Sequence, residues 1–357
     1  MRVRLEDVCE KESSKLKQSD VIDQNGLYPV YGASGYLGNI NTYQQSNYYI
    51  AVVKDGAGIG RTMLLPPESS IIGTMQYLIP KDNVLPEYLY YVVKAKHLEK
   101  YFSGATIPHI YFKDYKNEQF DLVSFEEQRE IINRLKKIEI IIDNLSKNLL
   151  LLDELVRARF VEMFGDPIDN PMNWEKKKLQ DIVTEDCTIS YGIVQTGENQ
   201  KEGVPVFRPV DIVNHIPKVE ELKKTTESIS NRYKKTLLKG HELLITVRAN
   251  IADTFIVNDE YKGCNVGRGI VPIRTQEDIM LLEFLKCLID NKHLNDILKS
   301  KAKGITLIQL NMEDLRNIEL VIPPIDLQAE YLKYSALIDK SRLLSNHSLF
   351  LIKSITF

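Results

Sequence analysis

The sequence predicts a mixed α/β (α+β) fold, in which two similar globular domains are separated by an antiparallel pair of long coiled-coil helices. Three observations predict it: the chain repeats itself in one order, each repeat mixes short strand-like and helical segments, and each repeat ends in a long helical segment. The repeat implies a pseudo-twofold relation between the halves. We place the first domain at residues 1–123, its long helix at 124–165, the second domain at 166–322 and its long helix at 323–357.

The repeat is clearest in one block of each half. Gly104-Ala-Thr-Ile-Pro-His109 aligns with Gly304-Ile-Thr-Leu-Ile-Gln309 at an offset of 200 residues, and the register holds as far as Gln128 and Gln328. Upstream, Glu87 and His97 align with Glu283 and His293 at an offset of 196. The identities are sparse, so it is their common order that indicates a duplication.

Each repeat begins with strand-like segments. In the first, residues 48–53 and 61–65 read as strands joined by the glycine-rich turn 55–60. Residues 242–248 and 254–257 stand in the equivalent places of the second. Residues 87–102 and 281–298 have the apolar spacing of helices.

The first long segment has the features of a coiled-coil helix. Ser124 and Glu127 form a capping-box pattern, which predicts a helix start. The segment ends near Gly165, and residues 126–164 would span about 58 Å as a helix. Apolar residues then alternate at spacings of four and three, the pattern of a helix-pairing seam: Ile131, Leu135, Ile138, Ile142, Leu145, Leu149, Leu152 and Val156.

The second long segment begins after Pro323-Pro324 and carries a poorer seam. Ile338, Leu349 and Ile352 fall on it, whereas Arg342 and Ser345 interrupt it. We expect this helix to stop about two turns short of the first. It is still the partner within the chain for the first seam, because a stripe of eight apolar residues is not stable in water.

Composition limits the function classes. The net charge of -3 over 357 residues excludes a strongly basic nucleic-acid coat, so nucleic-acid binding would need local patches. No stretch approaches the roughly 18 apolar residues of a membrane span, so we expect no membrane partner. The cysteines form no C-x-x-C pair, and we expect neither a metal site nor disulfides, as in a reducing cytoplasm: Cys9, Cys187, Cys264 and Cys287.

Two chemical motifs have competing interpretations. The glycine run 56–60 leads into a strand rather than a helix, so we interpret it as a turn that can approach a phosphate backbone and not as a nucleotide loop. Asp253 and Glu260 with Lys262 are the residue types of a metal-dependent nuclease. The same pattern is common in solvated hairpins, and the first repeat has no equivalent.

Regional composition indicates nucleic-acid contact without proving it. Residues 223–248 hold seven Lys and Arg against two Glu, and 13 of the 18 tyrosines precede residue 122. Tyrosine combines an apolar ring with a hydrogen-bonding tip, which suits DNA grooves and protein cores alike. Ordinary sheet tyrosines and a solvated lysine face remain an alternative, and so does a coiled-coil adaptor that joins two protein-binding heads.

Several strings along nearly the whole chain resemble one protein family. They are Tyr28-Pro-Val-Tyr-Gly-Ala-Ser-Gly35, Lys54-Asp-Gly-Ala-Gly-Ile-Gly-Arg61, the Gly104 block, Glu126-Glu-Gln128, Pro323-Pro-Ile-Asp-Leu-Gln328, Phe160-Val-Glu-Met-Phe-Gly-Asp-Pro167 and Asn170-Pro-Met-Asn-Trp174. The family is the specificity subunit of type I restriction-modification systems. The strings 160–167 and 170–174 are the most specific, because together they resemble the family's junction between the central helix and the second recognition domain.

The resemblance implies a function and partners. Such subunits have two target-recognition domains that each read one half of a split double-stranded DNA site. They assemble with two modification (methyltransferase) subunits, which bind S-adenosylmethionine, and with restriction (helicase-nuclease) subunits that use ATP and Mg²⁺. The specificity chain itself is non-catalytic and binds no cofactor, and a rigid helix pair between two readers sets the spacing of the half-sites.

We expect the DNA contacts on loops, where Arg and Asn present the forks that match guanine and adenine edges. The candidates in the first domain are Ser34, Tyr36, Lys54, Arg61 and His109. Those in the second domain are Arg208, Lys234, Lys235, Arg248, Asn250 and Arg268.

Overall fold

The computed structural model describes residues 1–22, 24–104, 108–212, 217–304 and 308–356, with the backbone alone for 355 and 356. Residues 105–107 and 305–307, the centres of the two aligned repeat blocks, lie outside the described residues. The chain divides into two compact units. The first unit comprises residues 1–146 with 348–357, and the second comprises residues 147–347.

In its described residues, the first unit contains three sheets and short helices. Its strands are β1 (Arg2–Arg4), β2 (Cys9–Ser13), β3 (Tyr28–Gly32), β4 (Gly35–Ile40), β5 (Tyr49–Val53), β6 (Thr62–Leu65), β7 (Ser70–Ile71), β8 (Met75–Pro80) and β9 (Gln119–Asp121). Its helices are α1 (Leu5–Val8), α2 (Pro86–Lys94) and α3 (Phe112–Tyr115), and α4 (Phe125–Phe164) begins in it.

The core of the first unit forms around β5. The largest sheet has the order β2-β8-β5-β6, the second β4-β3-β7, and β1 pairs with β9. Every side chain of β5 is 0% exposed, because this apolar run lies between β6 and β8 with both of its faces covered. α2, which begins with proline at its first position, packs against β5 and β6.

The second unit contains the remaining elements. Its strands are β10 (Glu175–Lys178), β11 (Val204–Phe207), β12 (Lys223–Thr225), β13 (Leu243–Thr246), β14 (Thr254–Ile256), β15 (Asn265–Val266), β16 (Ile270–Ile273) and β17 (Glu319–Ile322). Its helices are α5 (Pro209–Ile212), α6 (Glu227–Asn231), α7 (Leu282–Asp290), α8 (Lys292–Lys301) and α9 (Met312–Arg316), and α10 (Ile325–Thr356) begins in it.

The two units share most of their strand pairing. The order β14-β13-β16 repeats β6-β5-β8, and β12-β11-β15 repeats β4-β3-β7. The parallel pair β3 and β7 corresponds to the parallel pair β11 and β15. The pair β10 and β17 corresponds to β1 and β9. The duplication predicted from sparse identities is therefore present in the strand pairing.

Both predicted mid-domain helices are broken, at equivalent places. The first ends at Lys94, and His97, in a left-handed conformation with φ 49°, precedes a short 3-10 helix. The second is interrupted at Asn291, whose backbone leaves the helical region and whose side chain accepts a hydrogen bond from His293 N at 3.0 Å. Apolar spacing alone does not reveal a break when the apolar stripe continues after it.

The long helix α4 has the predicted start and seam. Ser124 Oγ accepts from Glu127 N at 3.3 Å, and Glu127 Oε2 accepts from Ser124 N at 3.0 Å, which confirms the capping box. All eight predicted seam residues are half-buried, whereas Leu150 is 66% and Leu151 is 59% exposed. Within the described residues, no helix has both the length and the apolar character needed to cross a membrane.

In the second unit, α4 and α10 run antiparallel. Arg159 of α4 pairs with Glu330 at 3.1 Å, and its guanidinium lies over the ring of Tyr334. Further along α10, Arg342 pairs with Asp153 of α4 at 2.6 Å. Arg342 thus occupies a seam position as one half of an ion pair between the helices. This contact explains how a charged residue interrupts the seam without being exposed.

Aromatic rings anchor both long helices to α7 in the second unit. Phe164 of α4 lies 4.8 Å from Phe284 of α7, centroid to centroid. Phe160 lies 5.5 Å from Tyr331 of α10. All four rings are buried, and each such aromatic pair adds about 0.5–1.5 kcal/mol beyond the burial of its area. The cluster fixes the end of α4 beside the start of α10.

The string 160–174 that carried the family resemblance has a structural role here. Trp174 Nε1 donates to Phe164 O at 3.0 Å, and Asn170 exchanges two hydrogen bonds with the backbone of Trp174. Asp166 accepts from the backbone of Ile168 at 2.8 Å. Burial opposes ionisation of Asp166, but this hydrogen bond and others keep its pKa below the usual value. The string therefore caps the end of α4 and turns the chain into β10.

Each long helix has a buried glutamine near its start, and the two glutamines make equivalent hydrogen bonds to the backbone. Gln128 Oε1 accepts from Leu85 N at 2.8 Å, immediately before α2. Gln328 Oε1 accepts from Leu281 N at 3.0 Å, immediately before α7, and its Nε2 donates to Pro323 O at 2.8 Å. Both glutamines are at most 1% exposed. Each one satisfies buried backbone groups that no regular helix bond reaches.

We expect Gln328→Ala to lower the unfolding free energy of the second unit by about 1–3 kcal/mol, because it leaves buried backbone groups without partners. Urea unfolding followed by the fluorescence of Trp174, the single tryptophan, measures the change. Gln180→Ala is the matched control, since Gln180 is an exposed glutamine of the same unit. Equal midpoints for both variants would contradict this role.

Candidate nucleic-acid interface

Three loops of the first unit meet at the end of β5. The glycine loop, residues 54–61, follows β5, and Gly56 N donates to Pro108 O at 2.9 Å. Residues 103 and 109 pair with each other through their backbones, and Ile110 N donates to Lys54 O at 2.9 Å. Gly56 and Gly60 have φ values of 82° and 81°, which side chains other than glycine rarely adopt. The loops are thus held by backbone contacts.

Arg61 joins the glycine loop to the turn between β3 and β4. Its Nη1 donates to Ala33 O at 2.8 Å, next to the exposed Ser34. The structure therefore places Ser34, Lys54, Arg61 and His109 on neighbouring loops. Tyr36 lies elsewhere on the same hairpin, where it lines a 420 Å³ pocket with Tyr90 and Tyr91 of α2.

His109 is already engaged within the protein. Its Nδ1 contacts a carboxylate oxygen of Asp55, and its ring lies 3.9 Å from that of Tyr111, centroid to centroid. Lys54 Nζ is 3.7 Å from the other oxygen of Asp55. Asp55 thus forms an ion pair with Lys54, one of the candidate DNA contacts.

Arginines at three strand ends meet in the second unit. Arg208 follows β11, Arg248 lies just after β13, and Arg268 lies between β15 and β16. Gly269 lets the chain pack closely between the residue after Arg208 and Arg248 itself, because a side chain there would lie 2.4 Å from Pro209 and 3.3 Å from Cβ of Arg248. The parallel pairing of β11 and β15 places Arg208 and Arg268 at the same edge of their sheet.

The three arginines differ in their partners. Arg208 forms a two-pronged pair with Asp211, at 3.0 and 2.8 Å, and this hydrogen bonding raises the pKa of Arg208. Arg268 and the neighbouring Asn250 are exposed. Arg248 is half-buried, and its Nε is buried without a hydrogen-bond partner. Its guanidinium makes no hydrogen bond or ion pair anywhere in the described part of the chain.

The loop after β13 has the same backbone shape as the glycine loop, although it contains no glycine. Gly60 N donates to Val53 O in the first unit, and Ala252 N donates to Thr246 O in the second. Ala249 and Ala252 have φ values of 62° and 64°, matching Gly56 and Gly60. A left-handed alanine costs about 1–2 kcal/mol. The second loop is therefore held in its shape by its surroundings.

The lysine-rich stretch does not form one patch with Arg248. Lys234 and Lys235 are exposed on a short 3-10 helix that Thr236 links to Asn265, at the start of β15. Lys239 instead bonds to Asp186, and that bond, with others, lowers the pKa of Asp186 to about 2. The predicted local charge excess is therefore divided between separate places.

Both loop clusters also contain residues that the sequence analysis did not select, namely Asp55, Gln309 and Tyr191. Asp55 and Arg248 are equivalent, because each forms an isolated backbone bridge to the aligned residue of the other loop, His109 or Gln309. Gln309 also donates to the hydroxyl of Tyr191. The repeat alignment pairs His109 with Gln309 and could have indicated Gln309. No sequence pattern indicates Tyr191.

The nuclease interpretation finds no constellation in the structure. Asp253 lies in the turn after β13 with its backbone bonded to Thr246, and Glu260 lies on a separate 3-10 helix. Across the ranges that the structure describes, no group of three or more His, Cys, Asp or Glu side chains is placed to hold a metal ion.

Two type I restriction enzyme specificity subunits are similar in sequence to part of this chain. The specificity subunit of the type I restriction enzyme EcoBI from Escherichia coli is 21% identical over 254 residues, covering 65% of this chain and 53% of that protein. The MjaIX specificity subunit from Methanocaldococcus jannaschii is 26% identical over 282 residues, covering 69% and 61%. The chain thus spans between about half and three fifths of the length of these relatives.

Solved structures with the same fold cover the whole chain. The S subunit of the type I restriction-modification system from M. genitalium superposes with a TM-score of 0.60 at 15% identity, over 100% of this chain and 93% of that one. A chain from a study of complex assembly and conformational transition of the type I R-M system gives 0.62 at 18% identity, over 100% and 95%. At these identities the likeness concerns the fold.

The family model of the type I restriction modification DNA specificity domain matches residues 1–151 and again residues 171–346. The two matches cover most of the chain, and each includes one of the loop clusters described above. The chain therefore belongs to the family of type I restriction-modification DNA specificity domains.

Proposed function

We propose that this chain is the DNA-sequence specificity subunit of a type I restriction-modification enzyme, and that it reads a bipartite double-stranded DNA site. The observation that carries the proposal is the pair of equivalent loop clusters, which share backbone hydrogen bonds but carry different side chains. Such an arrangement suits two readers of two different half-sites. A reader of genomic DNA would work in the cytoplasm.

The proposed DNA contacts are the loop residues of both clusters. Exposed members can reach phosphates or base edges directly: Ser34, Tyr36, Arg61, Lys234, Lys235, Asn250 and Arg268. Lys54, His109, Arg208 and Arg248 are half-buried, which favours fixed positions over mobile ones. Phosphate contacts fix the register of the protein on DNA, and base contacts specify the sequence.

We propose that α4 and α10 act as the spacer between the half-sites. Half-site spacing on B-DNA follows from protein geometry, with about 34 Å for each helical turn. α4 has 40 residues and would span about 60 Å. A helix held along a half-buried seam resists bending, so its length can set the length of the gap in the DNA site.

The partners we propose are two modification subunits with S-adenosylmethionine, and restriction subunits with ATP and Mg²⁺. The chain itself would supply no catalytic centre and no cofactor. In the second unit, α4 and α10 form a 620 Å³ groove lined by Leu151, Leu155 and Ala158 with Ser341 and Ser345. Leu155 is 46% exposed in it. An apolar groove of this kind favours a helix of a modification subunit as its occupant.

Neither alternative function gains support. An autonomous nuclease would need a metal-binding constellation, and Asp253 and Glu260 do not form one. A coiled-coil adaptor would explain the helix pair but not the arginine-rich strand ends around Gly269. The family match also favours the DNA reader over both.

The function is tested by expressing this chain with its modification subunit in a methylation-free host and mapping methylated adenines. We expect methylation within one bipartite sequence. An Asn250→Ala, Arg268→Ala double variant should change the consensus in one half only, because the substitutions touch one cluster. Methylation without a consensus, or no methylation by an assembled complex, would contradict the proposal.

The docking proposal predicts that Leu155→Asp abolishes co-purification of the modification subunit, because it places a charge in the apolar groove. Leu150→Asp is the matched control, since Leu150 lies on the same helix, is 66% exposed and does not line the groove. Circular dichroism of both variants checks that the helices remain intact. Normal co-purification of the Leu155→Asp variant would exclude the groove as the docking site.

A further inference from the structure

We propose that Arg248 is the specificity-determining residue of the second unit and reads a guanine, an inference that rests on the proposed DNA-reading function. The guanidinium of Arg248 is half-buried, its Nε has lost contact with solvent, and it makes no hydrogen bond or ion pair in the described part of the chain. Burial of Nε partly dehydrates the guanidinium, and partial dehydration of a charge that has no partner opposes folding. An arginine that destabilises the fold in this way points to a ligand that supplies the missing hydrogen-bond acceptor.

Other arginines of the same unit show the usual arrangement. Arg208 is paired with Asp211, and Arg274 donates to the buried carboxylate of Glu242 at 2.8 Å. Each of these guanidinium groups has an acidic partner within the protein. Arg248 and Pro209 both pack against Gly269, yet among the described residues Asp211 pairs with Arg208 and not with Arg248. Its charge is therefore available to an external acceptor.

The backbone around Arg248 is fixed on several sides. Val247 N donates to Gly269 O at 2.8 Å, and Leu310 N donates to Val247 O at 2.9 Å. Arg248 itself forms a backbone bridge to Gln309, and the next residue, Ala249, is held at φ 62°. A phosphate can be met by a mobile cation, whereas a base edge requires a fork in a fixed orientation. The rigidity therefore favours a base contact.

The equivalent residue in the first unit also distinguishes a base contact from a phosphate contact. Asp55 occupies that position and is held by His109 and Lys54. A carboxylate cannot bind a phosphate, so the shared position is not a conserved phosphate site. A change from acid to guanidinium at one scaffold position is what two readers of different bases require. Arginine at this position matches guanine, whose O6 and N7 accept two parallel hydrogen bonds.

The test uses the assembled complex with its modification subunit and a DNA library randomised in the second half-site. With the unmodified chain, we expect a required G at one position. Arg248→Ala should reduce the preference for that G by about 5- to 150-fold and leave the first half-site unchanged. Arg248→Lys keeps the charge but loses the two-pronged geometry, so it should lose the same preference while keeping the salt dependence of binding.

Arg232→Ala is the matched control, because Arg232 is an exposed arginine of the same unit beyond α6. It should leave every base preference intact. The melting temperature of the Arg248→Ala chain should equal or exceed that of the unmodified chain, since the substitution removes an unpaired half-buried charge. This measurement separates loss of reading from loss of fold.

Three results would overturn the inference while leaving the proposed function standing. Uniform weakening over all sequences, with a salt slope reduced by about one, would make Arg248 a phosphate contact. An unchanged consensus would show that it does not contact the site. Relaxation at a position that does not require G would exclude guanine. Absence of any bipartite consensus for the unmodified complex would instead defeat the proposed function itself.

Discussion

Burial of the apolar seam of α4 is the constraint on which the rest of the structure depends. Eight half-buried residues at four-three spacing line α4, and in the second unit α10 runs antiparallel beside the part of α4 that holds Leu149, Leu152 and Val156. The same contact continues into the buried rings of Phe160, Phe164, Tyr331 and Phe284. A helix pair fixed in this way positions α7, and through α7 the sheet that carries the loop after β13.

The repeat separates scaffold from chemistry. Backbone bonds recur at equivalent places, as when Ile110 N donates to Lys54 O and Leu310 N donates to Val247 O. Side chains at the loop positions do not recur. Backbone hydrogen bonds do not depend on side-chain identity. One loop can therefore carry an acid and the equivalent loop a guanidinium without a change of shape. This independence allows one fold to present two different surfaces, which is what reading an asymmetric split site demands.

Charge is distributed rather than concentrated. The chain carries a net charge of -3, and acids within the second unit hold several cations, as Asp211 does Arg208 and Asp186 does Lys239. Fixed pairs of this kind position loops but add little attraction for a phosphate backbone. Long-range attraction for DNA would then depend on exposed cations such as Arg268, and on partner subunits. Under the proposed function, specificity and affinity for DNA would then come from different groups.

The sequence by itself determined the duplication, the start of α4 and the seam, because periodicity and capping depend on residues near one another in the chain. It also selected Ser34, Lys54, Arg61 and His109, which the fold places on neighbouring loops. Only the tertiary structure decided which charges are paired. Asp55 pairs with His109, 54 positions away in the chain, whereas Arg248 has no such partner among the residues that the structure describes. The sequence also did not predict the helix breaks at His97 and Asn291, since an apolar stripe can continue across a turn.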